Sequence, residues 1–271
     1  MSSSSKQSGC EQTMTFGGHL EVMRRMLFRV LGVAMGLGVI VFCFKELTFD
    51  LLLAPSHWDF CTYRWLEQAM NAMGMDFRFE EFHVSMIATE LSSQFMTHIS
   101  TSFYLGLLFA SPYILYELFR FVSPALYDNE RRYATKTAVT IYVLFIIGVL
   151  ITYFVLFPIS FRFLGTYSVS EEVVSNITID SYISTFVSLT LVMGLVFQLP
   201  VIAFFLGKIG VIEAEVLTKY RKHAFIIIML VAAIITPPDV MTLVIVTIPL
   251  YLLFELSIKV LKWLERRKKK I

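Results

Sequence analysis

Long apolar runs without a single charge constrain this chain more than any other feature. Residues 137–161 hold 25 positions without Asp, Glu, Lys or Arg, and residues 181–207 hold 27. A helix needs about 20 apolar residues to cross a hydrocarbon layer of about 30 Å, so each run is long enough to span a membrane. Further runs at 27–44, 99–121, 224–238 and 240–258 bring the expected count to six. The composition agrees: 56% of residues are hydrophobic and 16% charged, where a soluble domain carries about 25% charged. An aromatic content of 15% excludes a disordered chain. The expected fold is an all-α integral membrane protein whose six transmembrane helices form a concave bundle, bent where Pro112, Pro200 and Pro249 fall inside spans.

The last two spans are unusual. Their uncharged cores hold 15 residues each, on either side of Asp239, and 15 residues make a helix of only about 22 Å. A hairpin this short must thin the bilayer or lean on its neighbours.

Orientation follows from basic residues. The N-terminal segment, the loops after spans two and four and the C-terminal segment together hold 19 Lys and Arg; the other side holds four. Both termini are therefore expected in the cytoplasm. The plan is a tail over 1–15, a membrane domain over 16–258 with an outer loop at 45–98, and a basic tail over 259–271. Within the outer loop, Trp58, Cys61, Trp65, Leu66, Ala69 and Met73 recur at helical spacing, predicting an amphipathic helix over 58–73 that caps the outer ends of the spans. No small-residue cleavage site follows the first apolar run, so no processed signal peptide is expected.

Catalytic and energy-coupling motifs are missing. The chain has no GxxxxGK[ST], HExxH or GxSxG, and its three cysteines have no metal or redox spacing. No enzyme activity, cofactor or metal is expected. Polar groups sit instead where they are expensive: Gln198 inside span four, Glu255 at the end of span six, and Asp239 in the outer hairpin. A carboxylate at the bilayer centre costs roughly 2.5–3.5 kcal/mol, which makes such residues functional candidates. Structural alternatives are an interhelical hydrogen bond from Gln198 and an i,i+4 pair of Glu255 with Lys259. A small-molecule transporter would use Glu255 and Gln198 as a midplane site, but no inverted repeat or deep carboxylate cluster is visible. On the cytoplasmic side, Glu130 lies within Tyr127-Asp128-Asn129-Glu130-Arg131-Arg132, and Glu21 within His19-Leu20-Glu21-Val22-Met23-Arg24-Arg25. Such acids either balance local charge or receive a cationic peptide, since carboxylate and guanidinium form short bidentate bonds.

Several segments together carry a family resemblance. They are Met86-Ile87-Ala88-Thr89-Glu90, Ala110-Ser111-Pro112-Tyr113, Phe121-Val122-Ser123-Pro124-Ala125-Leu126-Tyr127 leading to Glu130-Arg131-Arg132, Gln198-Leu199-Pro200, Thr236-Pro237-Pro238-Asp239 and Ile248-Pro249-Leu250-Tyr251. In order and spacing, from about residue 16 to 258, the chain resembles TatC, the multispanning core of the twin-arginine protein translocase. The resemblance implies a receptor for twin-arginine signal peptides of folded cargo, driven by the proton-motive force in a bacterial-type plasma membrane. It implies TatA-type and TatB-type single-span partners and self-association within a translocase complex.

The resemblance also implies roles for particular residues. Glu130, Phe121 and Pro124 match the loop that contacts signal arginines, and His19, Glu21 and Arg24 match the N-terminal motif. Gln198, Thr236, Asp239 and Glu255 match membrane-polar or partner-docking positions. Three positions depart from the pattern. Val22 stands where the family's N-terminal glutamate commonly falls, with Glu21 one residue earlier. Gln198 replaces a frequent glutamate, and Ser100 a frequent base. The second signal arginine is then expected on Glu21 or on a backbone carbonyl.

Overall fold

The computed structural model describes residues 16–76, 78, 81–122, 134–168, 170, 176–236 and 239–268. The expected tail over 1–15 lies outside the described residues. Five helical segments are long and apolar enough to cross a membrane: Leu20–Cys43, Ser93–Leu118, Ala138–Thr166, Ile179–Ile209 and Val240–Arg267. The remaining expected span is the helix α10 (Arg221–Ile235), which has only 15 residues.

Two long helices form a seam. Helix α1 (Phe16–Cys43) runs antiparallel to α4 (Ser93–Val122), a direction fixed by three contacts. Phe42 stacks on His98 with ring centroids 4.2 Å apart, Gly38 meets Gly106, and Arg29 meets Glu117. The middle contact leaves no room for a side chain. A Cβ on Gly106 would lie 2.5 Å from the Gly38 nitrogen and 2.7 Å from the Ala34 carbonyl oxygen. Small residues at such a crossing let backbones approach closely enough for dispersion to hold them.

The third and fourth spans are both interrupted. After α5 (Ala134–Ile151), a π-turn at Thr152–Leu156 leads into α6 (Phe157–Thr166), where Pro158 lies in the first turn. Proline lacks the amide that would continue the ladder, and a π-turn absorbs the mismatch. The fourth span divides into α7 (Ile179–Val196) and α8 (Leu199–Ile209), with Pro200 opening the second piece and Gly210 ending it at a φ of 84°. Of the three prolines expected to bend spans, only Pro200 coincides with a break. Pro112 and Pro249 lie inside the unbroken helices α4 and α11 (Val240–Lys268).

Helix α11 extends into the expected basic segment. It runs on past residue 258 to Lys268, and Leu261 and Leu264 are buried. Leu261 packs with Ala203 of α8 and Ala214 of α9 (Ala214–Lys219). Glu265 accepts a 2.7 Å bond from the Ala214 amide, satisfying a free donor at the start of α9.

The segment between α1 and α4 is ordered into α2 (Lys45–Leu53), a short 3₁₀ turn at Ala54–Ser56 and α3 (Cys61–Ala72), the last within the predicted amphipathic segment. The face that packs differs from expectation. Thr62 and Tyr63 point inward, while Trp65 stays 63% exposed, and Trp58 and Met73 are exposed as well. The Tyr63 hydroxyl donates to the Pro158 carbonyl at 2.9 Å, and the Thr62 hydroxyl to that of Phe154. Burial pushes the Tyr63 phenol well above its ordinary range, against the opposing influence of the Arg162 cation, so it remains a donor. A two-residue parallel pairing of β1 (Met86–Ile87) with β2 (Ile177–Thr178) ties the segment before α4 to the one before α7. Beneath it, Asp180 accepts bonds from the Ser93 and Thr97 hydroxyls. Phe157, Phe161, Tyr182 and Phe186 meet edge-to-face at 4.9–5.0 Å to form the centre of the core.

The seam yields a test. Gly106→Val is expected to destabilise the protein by about 1–3 kcal/mol, seen as a lower thermal midpoint in detergent. Gly32→Ala, whose Cβ would meet nothing within 4 Å, should leave that midpoint unchanged.

Candidate functional site

Glu130 and Pro124 lie outside the described residues, as do the side chains of His19 and Phe121. What is described is the first turns of α1 and the last turns of α4, brought together by the seam. On α1, Glu21 accepts from Arg25 Nε at 3.0 Å and from Arg24 Nη2 at 3.4 Å. All three side chains are exposed, so these i,i+3 and i,i+4 pairs are weak, about 0.3–0.5 kcal/mol each. Arg24 thus serves its own helix, and Glu21 is engaged before any ligand arrives.

Sequence reasoning missed a second carboxylate. Glu117, one turn before the end of α4, is nearly buried, with 6% of its side chain exposed. Its Oε1 accepts from the Tyr113 hydroxyl at 3.1 Å and from Arg29 Nη1 of α1 at 3.3 Å. A signal was available: Glu117 is the one acid between Glu90 and Asp128, and Arg29 the one base in the first apolar run.

The membrane-polar candidates divide among separate places. Gln198 sits at the break between α7 and α8. Its own amide bonds to Leu195 O rather than Gly194 O, so the Gly194 carbonyl loses its helical donor. The Gln198 side-chain Nε2 supplies a replacement at 3.4 Å and donates to Ile141 O of α5 at 3.1 Å. The expected interhelical hydrogen bond is therefore present. Its Oε1 is buried with no partner among the described residues.

Glu255 does not pair with Lys259. It takes Arg221 Nη2 at 2.9 Å and the Tyr251 hydroxyl at 3.2 Å, because the short α10 begins beside it with Arg221. Thr236 is buried and bonds back to Ala232 O at 3.0 Å. Asp239 caps α11, accepting from the Thr242 amide at 2.6 Å. Gln198 and Glu255 thus take different partners, and among the described residues nothing joins them as the transporter alternative requires. Among the described residues no group of His, Cys, Asp and Glu is arranged to hold a metal ion.

A family model described as Sec-independent protein translocase protein (TatC) matches residues 18–249. The chain belongs to the TatC family. It is 33% identical over 259 residues to the TatC protein of Blattabacterium sp. subsp. Periplaneta americana, covering 94% of this chain and 97% of that relative. With the TatC protein of Desulforapulum autotrophicum it shares 34% identity over 249 residues, covering 92% of this chain and 84% of the other. The crystal structure of the twin arginine translocase receptor TatC superposes with a TM-score of 0.72 at 30% identity, covering 90% of this chain and 98% of that one. A second structure of that receptor, in DDM, gives a TM-score of 0.73. The TatC match encloses every candidate site residue except Glu255.

The amide of Gln198 provides a test within this TatC framework. Gln198→Leu removes both donations and is expected to cost about 1 kcal/mol, the scale of buried polar contacts in membranes. Unfolding in detergent measures it; unchanged stability would show that the amide contributes nothing.

Proposed function

We propose that this chain is the signal-peptide receptor and core membrane subunit of a twin-arginine-type translocase, exporting folded proteins with the proton-motive force. The observation that carries this reading is family membership extending over residues 18–249, which include both acidic cytoplasmic segments. On this reading six spans form a concave bundle in a bacterial-type plasma membrane, with α10 as the fifth span and both termini in the cytoplasm. The unequal distribution of Lys and Arg supports that orientation.

In this arrangement Glu130 captures one signal arginine through a charge-assisted, bidentate bond. Glu21, His19, Arg24, Phe121 and Pro124 belong to the same cytoplasmic binding face. TatA-type and TatB-type single-span helices dock at separate positions along the bundle: the hairpin of Thr236 and Asp239, the break at Gln198, and Glu255 beside the start of α10. Gln198 Oε1 and Asp239 Oδ2, buried without a partner among the described residues, support this, since buried acceptors left empty favour a donor arriving from elsewhere. Copies of the chain associate within the translocase.

Peptide affinity tests the reading. The full chain in detergent is expected to bind a synthetic twin-arginine signal peptide about ten-fold or more tightly than its twin-lysine counterpart, because a hydrogen bond to a charged group contributes about 1.5–3 kcal/mol. Glu130→Gln should weaken the twin-arginine complex by a similar factor while the thermal midpoint stays in place. Unchanged affinity would remove Glu130 from the site.

A further inference from the structure

Two arginines call for two acceptor sites, and this chain has Val22 where the family pattern commonly supplies the second carboxylate. Glu21, one position earlier, turns about 100° away around the helix and already lies between Arg24 and Arg25. A peptide guanidinium approaching it meets two like charges. Glu117 is in the opposite situation: a carboxylate at the end of α4, 13 positions before Glu130, buried and held by a cation from another helix.

The way Arg29 holds it is incomplete. A guanidinium matched to a carboxylate gives two parallel bonds of about 2.7–2.9 Å. Arg29 gives Glu117 a single bond of 3.3 Å from Nη1, while its Nε is spent at 3.3 Å on the Arg25 carbonyl. Tyr113 and Arg29 both bond to Oε1, so Oε2 takes no hydrogen bond among the described residues. The Arg29 side chain is half exposed and the Glu117 side chain 6% exposed. A loosely seated cation therefore covers a buried carboxylate that has unused acceptor capacity.

We infer that Arg29 is a built-in placeholder, and that the second arginine of a bound signal peptide displaces it to form the full bidentate pair with Glu117. This inference rests on the receptor reading above. Exchange of one guanidinium for another is the inexpensive route to such a site. A buried carboxylate stripped of its partner is strongly disfavoured, whereas here it is never without a cation. The displaced Arg29 swings toward water, where half of its side chain already lies. Release of the peptide returns Arg29 to Glu117, so the empty receptor keeps its α1–α4 seam closed at this end.

Affinities of the full chain in detergent for four synthetic signal peptides, Arg-Arg, Arg-Lys, Lys-Arg and Lys-Lys, test the inference. If the unaltered chain does not distinguish Arg-Arg from Lys-Lys, the receptor reading itself fails. If it does, Arg29→Gln should bind the Arg-Arg peptide about ten-fold more tightly, because the internal competitor is gone. Glu117→Gln should bind it about ten-fold more weakly and should lose the preference for arginine at one of the two positions while keeping it at the other. A purely structural ion pair predicts something else: both substitutions weaken binding together and leave both arginine preferences in place. That outcome overturns the placeholder, as does an Arg29→Gln affinity equal to that of the unaltered chain. Should Arg29→Gln fail to fold, Arg29→Lys answers the same question, since a point charge competes less well for a bidentate site. Its affinity should rise, and an unchanged or lower affinity overturns the inference.

Discussion

The contact of Gly106 with the backbone of α1 is the constraint on which the rest of the structure depends. Lipid supplies no hydrophobic force between helices, so their association relies on close packing. A seam without side chains at its middle gives the closest packing available. It also sets the register of two long helices, and register decides which polar groups meet at each end. At one end His98 lies on Phe42; at the other, 88 positions apart in sequence, Arg29 reaches Glu117. A change of one residue in register would turn Glu117 toward a different face and leave its carboxylate without a cation.

A second constraint explains most of the remaining polar contacts. Within lipid every backbone amide and carbonyl must find a partner inside the protein, yet two of the spans are broken. The carbonyls near those breaks are met by side-chain donors. Thr62 serves Phe154, Tyr63 serves Pro158, and Gln198 serves Gly194. Helices α2 and α3 therefore do more than cover the bundle. Their hydroxyls and carbonyls complete the hydrogen bonding of the π-turn and of α6, and Tyr153 and Tyr182 bond in return to Leu51 and Leu52 of α2.

What could be read in the sequence is what depends on local pattern. The apolar runs fall on five helical segments long enough to cross a membrane and on the 15-residue α10, and Gln198-Leu199-Pro200 coincides with the division between α7 and α8. Long-range pairing was not legible. Lys259 is the nearest base to Glu255 along a helix, but Arg221 wins because tertiary packing brings the start of α10 beside it. Asp180 with Ser93 and Thr97, and Glu117 with Arg29, each join helices distant in sequence. The apolar stripe of α3 was legible as a stripe but not as an outward-facing one. Exposed Trp58 and Trp65 suit a membrane–water interface, and periodicity alone does not say whether lipid or protein covers an apolar face. The basic segment after residue 258 reads as a tail by charge, yet Leu261 and Leu264 fall one turn apart and pack it as helix.

The central claim is that paired guanidinia are received where the start of α1 meets the end of α4. The most direct measurement places a photoreactive side chain at Met23 or Leu118, near that meeting, or at Trp65 of α3, and adds twin-arginine or twin-lysine signal peptide to membranes containing the protein. Crosslinks at the first two positions, dependent on arginine and absent from Trp65, are the predicted result. Crosslinks indifferent to arginine, or concentrated at Trp65, would contradict the account.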